Sequence, residues 1–384
     1  MVIIRGEGFM APLSNTHAPY GDLAIVSMKG TEEIAKQVDY YLMQWRGTPA
    51  EKSYVIKANC PRFGTGEAKG VFKHSARGLD AYIICDCFNH GVTYNMYGKE
   101  VPMSPDDHFQ DLKRIIAALG GKAKRVNVIM PMLYEGRQHR RTSRESMDCA
   151  IALQELMAMG VKNFITFDAH DPRVQNAIPL DGFDNVQPTY QMIKALLRTY
   201  PDIELDPDHT MIVSPDEGGM GRCIYYSSVL GLDLGMFYKR RDYSTIVDGR
   251  NPIVAHEFLG KDVTGMDLII VDDMISSGDS MLDIAAKLKS QGARRIFIFS
   301  TFGLFVNGLE NFDKFYKNGF IDKIFTTNLI YNTPELLSRE WYCNVNLSKY
   351  ISLLVDTINC DNSISKLLDP ADKIHAVVEK YKEK

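Results

Sequence analysis

Short continuous apolar runs alternate with stretches of helical spacing along most of the chain. Ala81-Tyr82-Ile83-Ile84-Cys85, Val126-Asn127-Val128-Ile129-Met130 and Asn163-Phe164-Ile165-Thr166-Phe167 form one series. Ser143 to Met159, with apolar residues near a helical period, is the predicted helix between the last two runs. A second series follows: Thr210-Met211-Ile212-Val213, Leu234-Gly235-Met236-Phe237-Tyr238, Leu268-Ile269-Ile270-Val271 and Arg295-Ile296-Phe297-Ile298-Phe299. Ser280 to Ser290 is its predicted helix, and Gly292 suits the C-cap. Strands covered on both faces read as unbroken apolar runs, so the pattern predicts parallel sheets flanked by helices. Two such series predict an α/β chain of two units. The join falls near Leu180 to Pro188, where Gly, Asn, Asp and Pro gather. This gives a first domain at 1–185 and a second at 186–384, the C-terminal segment being a candidate to pack back on the first. The charged stretch from Pro370 to Lys384 is expected to be a surface helix.

Composition narrows the class. The 384 residues suffice for roughly two to three domains. At 45% hydrophobic and 24% charged the chain is an ordinary globular one, not a disordered one. Its 44 basic and 48 acidic residues, a net charge of -4, exclude a strongly basic nucleic-acid binder. No apolar stretch approaches the ~20 residues that span a bilayer. Arg5, Gly6, Glu7 and Gly8 break the apolar residues near the start, so no signal peptide is expected. The seven cysteines lack metal-finger spacing. Only Cys85 and Cys87 are close, as buried thiols or as a metal or redox pair. A reducing, cytoplasmic setting is expected.

In open α/β sheets, ligands bind beyond the carboxyl ends of the strands. Leu268 to Val271 runs into Asp272-Asp273-Met274-Ile275-Ser276-Ser277-Gly278-Asp279-Ser280 and then a helix. Two carboxylates at a strand end can accept from sugar hydroxyls or hold a cation. A small-residue loop at a helix N-terminus can aim N–H groups and hydroxyls at a phosphate. The plain alternative is an Asp-rich helix cap.

The pattern Val271-Asp272-Asp273-Met274-Ile275-Ser276-Ser277-Gly278 resembles the ribose-phosphate loop of the type I phosphoribosyltransferase fold. Over roughly Gly21 to Leu368 the chain resembles a ribose-phosphate pyrophosphokinase. Arg62-Phe63-Gly64-Thr65-Gly66-Glu67 is similar to that family's adenine loop. Gly136-Arg137-Gln138, Phe167-Asp168-Ala169-His170 and Val213-Ser214-Pro215-Asp216-Glu217-Gly218-Gly219 match its next motifs in order. Tyr238-Lys239-Arg240-Arg241 matches the start of its catalytic loop, and Gly303-Leu304-Phe305 a later strand end.

The resemblance implies two tandem phosphoribosyltransferase-like domains. It implies transfer of a diphosphoryl group from ATP to the anomeric hydroxyl of ribose 5-phosphate, by in-line attack at the β-phosphorus. Such chemistry is mainly positioning and charge neutralisation. Mg²⁺ is the implied cofactor, contacted by His170 and Asp216. Lys239 and Arg241 are the implied catalytic cations. Phe63 would stack on adenine, and Glu67 would read its amino group. Thr65, Arg137, Gln138 and His170 would complete the nucleotide site. Asp272, Asp273, Ser276, Ser277, Gly278, Asp279 and Ser280 would hold the sugar phosphate. The adenine loop of this family serves a neighbouring subunit, which implies a homo-oligomer, commonly a hexamer built from dimers. Nucleic-acid and membrane partners are not expected.

The sequence departs from the family pattern in places. Thr65 stands for an Asp, His139 for an Asp, Asp279 for a Gly and Phe302 for a His, and Ser276 where many members have Asp. The first twenty residues and Asn332 to Asn346 are longer than in compact members. Ser75-Ala76-Arg77-Gly78 resembles one side of the family's regulatory site, whereas Leu119-Gly120-Gly121 lacks the Arg expected nearby. The competing readings are a non-enzymatic regulatory relative and a phosphoribosyltransferase.

Overall fold

The computed structural model describes residues 17–49, 51–241 and 253–382, without the side chains of 239–241 and 253–256. The chain forms two compact units. The first runs to Val186 and takes in Leu347–Leu368; the second comprises Gln187–Asn346 and the segment from Asp369.

In the first unit the strands are β1 (Asp22–Ser27), β2 (Val55–Asn59), β3 (Val71–Phe72), β4 (Leu79–Ile84), β5 (Thr93–Met96), β6 (Lys99–Pro102), β7 (Arg125–Ile129), β8 (Asn163–Phe167) and β9 (Gly182–Val186). Seven of them make one sheet in the order β3-β2-β1-β4-β7-β8-β9. All its neighbours are parallel except β2 and β3. β5 and β6 form a separate antiparallel hairpin. Val26, Ile83, Val128 and Phe164 are fully buried beneath Leu112, Ile115 and Leu153 of the covering helices. One of these helices, Pro105–Leu119, starts at a capping box between Ser104 and Asp107 and stops at the left-handed Gly120.

The second unit repeats this plan with β10 (Thr210–Ser214), β11 (Asp233–Arg241), β12 (Ile253–Leu259), β13 (Asp267–Ile275), β14 (Arg295–Gly303), β15 (Lys323–Thr327) and β16 (Tyr342–Val345). The order is β12-β11-β10-β13-β14-β15-β16, again with one antiparallel pair at the same edge. β4 and β13 therefore hold equivalent places in the two sheets. The helix Ala371–Lys382 buries Ile374 completely, and His375 Nε2 lies 3.0 Å from the Val229 carbonyl.

Three elements differ from their expected bounds. The predicted helix Ser143–Met159 is observed only as Asp148–Ala158. Ahead of it the Thr142 N–H donates to Glu145 and the Ser146 hydroxyl to Asp148, local bonds that compete with a helical backbone. β13 extends past Val271 because β14 is long enough to pair with it as far as Ile275↔Gly303. The helix predicted from Ser280 begins at Asp279 and is closed by Gln291, with Gly292 left-handed just beyond. All seven cysteines are free, and the Cys85 and Cys87 sulfurs lie 3.7 Å apart. Among the described residues no helix is long and apolar enough to cross a membrane.

Candidate active site

In the second unit three adjacent strands, β11, β10 and β13, carry most of the residues singled out in the sequence. Lys239 and Arg241 lie on β11, whose backbone pairs with β12 through Lys239↔His256 and Arg241↔Ile253. Their side chains lie outside the described residues. Asp216 follows β10, and its Oδ1 accepts from the N–H groups of Gly218 and Gly219 at 2.9 and 3.2 Å. Ser214 Oγ donates to the Asp216 carbonyl, closing the turn from the other side. A Cβ on Gly219 would stand 3.1 Å from that hydroxyl, a close approach that the Ser214 side chain would have to yield to.

Asp272 and Asp273, expected at the strand end, stand within the longer β13, Asp272 opposite Ser300 on β14. Asp273 is buried, and its N–H donates to Asp272 Oδ1. Desolvation and the neighbouring Asp273 push the Asp272 carboxyl well above the usual carboxylate range. The Arg222 guanidinium opposes this from 3.8 Å. Arg222 was not identified in the sequence. It sits on the helix Met220–Leu230 just after the Asp216 turn, so helical spacing beyond a strand-end motif was its only signal.

The small-residue loop rests on aromatic rings. Gly278 has φ +85°, and a Cβ there would collide with the Phe312 ring. Phe312 is edge-on to Phe305 and stacked on Trp341, whose Nε1 donates to Asp313. Val306 N–H donates to the Ser276 carbonyl at 3.0 Å, tying the Gly303–Phe305 strand end to the loop. The long segment Asn332 to Asn346 thus supplies part of the loop's floor through Trp341. Ser276, Ser277 and Gly278 are half-buried, and Asp279 and Ser280 are exposed in the helix's first turn. Phe302, on β14, is buried.

In the first unit the Phe63 loop follows β2. It is closed by Phe63 N–H to the Glu67 carbonyl at 2.7 Å and Gly66 N–H to the Phe63 carbonyl at 2.9 Å. Phe63 is 55% exposed. Thr65 Oγ1 donates to Glu67 Oε2 at 2.9 Å, so the hydroxyl that stands for an Asp steadies the other carboxylate. Arg62 anchors the loop, donating to Asp111 at 2.8 Å and lying 4.6 Å over the Tyr94 ring.

Arg137 and Gln138 are exposed after β7, in a turn whose Gln138 N–H donates to the Glu135 carbonyl. His170 is exposed after β8. His139 lies between these motifs: its ring is 5.4 Å from that of His170, and its Nε2 is 3.5 Å from Asp171. Hydrogen bonds from the Arg173 guanidinium and its N–H outweigh the effect of burial and hold the Asp171 carboxyl down at about 2. The structure therefore joins the Arg137 segment to His170. The Phe63 loop is set apart, since β1 and β4 intervene between β2 and β7.

Two mainly parallel sheets with strand-end loops define a protein of the phosphoribosyltransferase-type α/β class. The fold is similar to that of phosphoribosylpyrophosphate synthetase from Mycobacterium smegmatis, with a TM-score of 0.71 and 20% identity over 88% of this chain and 98% of that one. Residues 23–160 match the N-terminal domain of ribose phosphate pyrophosphokinase, and residues 244–369 the phosphoribosyl synthetase-associated domain. A ribose-phosphate pyrophosphokinase of Vibrio parahaemolyticus is 26% identical over 91% of this chain and 99% of its own length. One of Ureaplasma parvum is 31% identical over 55% of this chain and 61% of its own. The chain belongs to the ribose-phosphate pyrophosphokinase family.

Proposed function

We propose that this chain makes 5-phosphoribosyl 1-pyrophosphate and AMP from ATP and ribose 5-phosphate. The observation that carries the reading is the convergence on β11, β10 and β13 of two cationic positions, a clamped Asp216 turn and an Asp-rich anion loop. In this reading the N–H groups and hydroxyls of Ser276, Ser277, Gly278, Asp279 and Ser280 hold the 5-phosphate at the helix N-terminus. Asp272 and Asp273 accept from the ribose hydroxyls and orient the anomeric oxygen. Lys239 and Arg241 stabilise charge on the transferring group. Phe63 stacks on adenine, and Glu67, steadied by Thr65, accepts from its amino group. Arg137, Gln138 and His170 hold the rest of the nucleotide.

Asp216, in the turn after β10, offers the carboxylate oxygen that a hard divalent cation prefers. His170 and Asp216 would contact Mg²⁺, which when bound neutralises the triphosphate. A homo-oligomer of dimers, up to a hexamer, is part of the proposal. Three strand spacings, about 14 Å, separate the Phe63 loop's strand from β7. That separation suits a loop serving a neighbouring copy. A cytoplasmic setting agrees with seven cysteines that are outside any disulfide.

The test is AMP formation from ATP, Mg²⁺ and ribose 5-phosphate, with and without a chelator. AMP that needs both the sugar phosphate and the metal is the expected result. Absence of AMP with tight binding to an active homologue would leave the regulatory reading, and pyrophosphate release from the activated sugar with a free base would leave the transferase.

A further inference from the structure

The β5–β6 hairpin stands outside the main sheet, and its tip is fastened to the Phe63 loop. Tyr97 N–H donates to the Gly64 carbonyl at 2.8 Å, one residue past Phe63. Behind the tip, a Cβ on Gly66 would lie 3.0 Å from the Met96 sulfur and 3.6 Å from the Tyr94 ring. Tyr94 also carries the Arg62 guanidinium. Hairpin and loop are thus one packed unit.

Met96↔Lys99 is the last pair, so Tyr97 and Gly98 form a two-residue turn. Their φ values are +49° and +76°. Such turns favour Asn or Gly at the first position, because a bulky side chain is strained in the left-handed region. A tyrosine accepting that strain calls for a reason in its side chain. Core packing is not the reason, since Tyr97 is 77% exposed. Its hydroxyl has no partner among the described residues. Two exposed aromatic residues, Phe63 and Tyr97, therefore stand on segments joined by the Tyr97–Gly64 backbone hydrogen bond.

We infer that Tyr97 is a second aromatic contact for the nucleobase of the donor, a specificity-determining residue beside Phe63. The inference rests on the reading of the Phe63 loop as the adenine site. Aromatic side chains stack on any base, and a two-ring site favours the larger purine faces.

The test compares Tyr97→Asn, Tyr97→Phe and Phe63→Ala in the full-length protein. Asn suits the turn, so Tyr97→Asn keeps or raises the melting temperature. It is expected to raise KM for ATP on the order of tenfold. The KM for ribose 5-phosphate and kcat stay near wild type, and the advantage of ATP over CTP shrinks. Tyr97→Phe behaves as wild type. If Phe63→Ala raises KM for ATP and Tyr97→Asn does not, the role of Tyr97 is wrong and the adenine loop stands. If neither changes KM, the loop reading itself fails. A Tyr97→Asn protein with a lowered melting temperature and both KM values raised would show a structural role only.

Discussion

The Asp267 carboxylate, fully buried at the start of β13, accepts from Arg295 Nη2 at 2.7 Å across the β13–β14 boundary. Arg294 adds a second guanidinium. The first unit has the same device: Asp80 on β4 pairs in register with Arg125 on β7 and accepts from it at 2.7 Å. In each case a tyrosine ring covers the guanidinium, Tyr200 over Arg295 and Tyr20 over Arg125. The matching pairs align β4 with β7 and β13 with β14, and the far ends of β7 and β13 lead into candidate site residues.

Asp267→Asn should destabilise the protein by about 3–5 kcal/mol, the usual result of removing one partner of a buried pair. Burial would raise the Asp267 pKa, but hydrogen bonds from Arg294 and Arg295 prevail and lower it. A depressed carboxylate stabilises the fold above its unfolded value of ~3.9, and that contribution is lost as pH falls below it. Urea denaturation should therefore show a large gap between wild type and variant at neutral pH, narrowing below about pH 4.

Gly278→Ala should weaken ribose 5-phosphate binding. The new methyl meets the Phe312 ring, and φ +85° is unfavourable for alanine. Overpacking of this kind costs about 1–3 kcal/mol, which predicts roughly a tenfold to hundredfold rise in KM for the sugar phosphate. Phe312→Leu in the same chain should recover part of the loss, because it removes the clash and leaves the strain. Isothermal titration with ribose 5-phosphate checks both.

Arg222→Ala should move the acid limb of the kcat/KM profile to higher pH. Arg222 favours the ionised form of Asp272, so its loss raises the pH at which the carboxylate forms. Arg222→Lys, which keeps the charge, should shift it less. An unmoved limb would separate Asp272 from the rate-determining ionisation.

Lys239→Ala should lower kcat on the order of a hundredfold to a thousandfold while leaving both KM values near wild type, as expected for a cation used only in the transition state. Single-turnover AMP formation is the measurement. A variant with near wild-type turnover would remove Lys239 from the catalytic role.

Much of the fold was legible in the chain because buried parallel strands leave an unbroken apolar signature. Leu268 to Val271 and Asn163 to Phe167 stood out for that reason. Helix starts were less legible: Ser143 to Met147 carries helical spacing, yet side-chain hydrogen bonds near Ser146 draw its backbone elsewhere. Within the candidate site, Asp272 to Ser280 was readable because the residue types that hold an anion are adjacent in sequence. Arg222 was not, because it reaches Asp272 on β13 from the helix that follows β10.

By itself, then, the sequence determined the strand runs, the order of the motifs and the chemistry each can perform, since these depend on local residue type and spacing. Only the tertiary structure decided which groups meet. Phe312 and Trp341 come from distant segments to carry the Gly278 loop. His139 comes beside His170, and the Tyr97 hairpin beside the Phe63 loop. Such pairings depend on strand order and packing, which bring together residues that no local pattern connects.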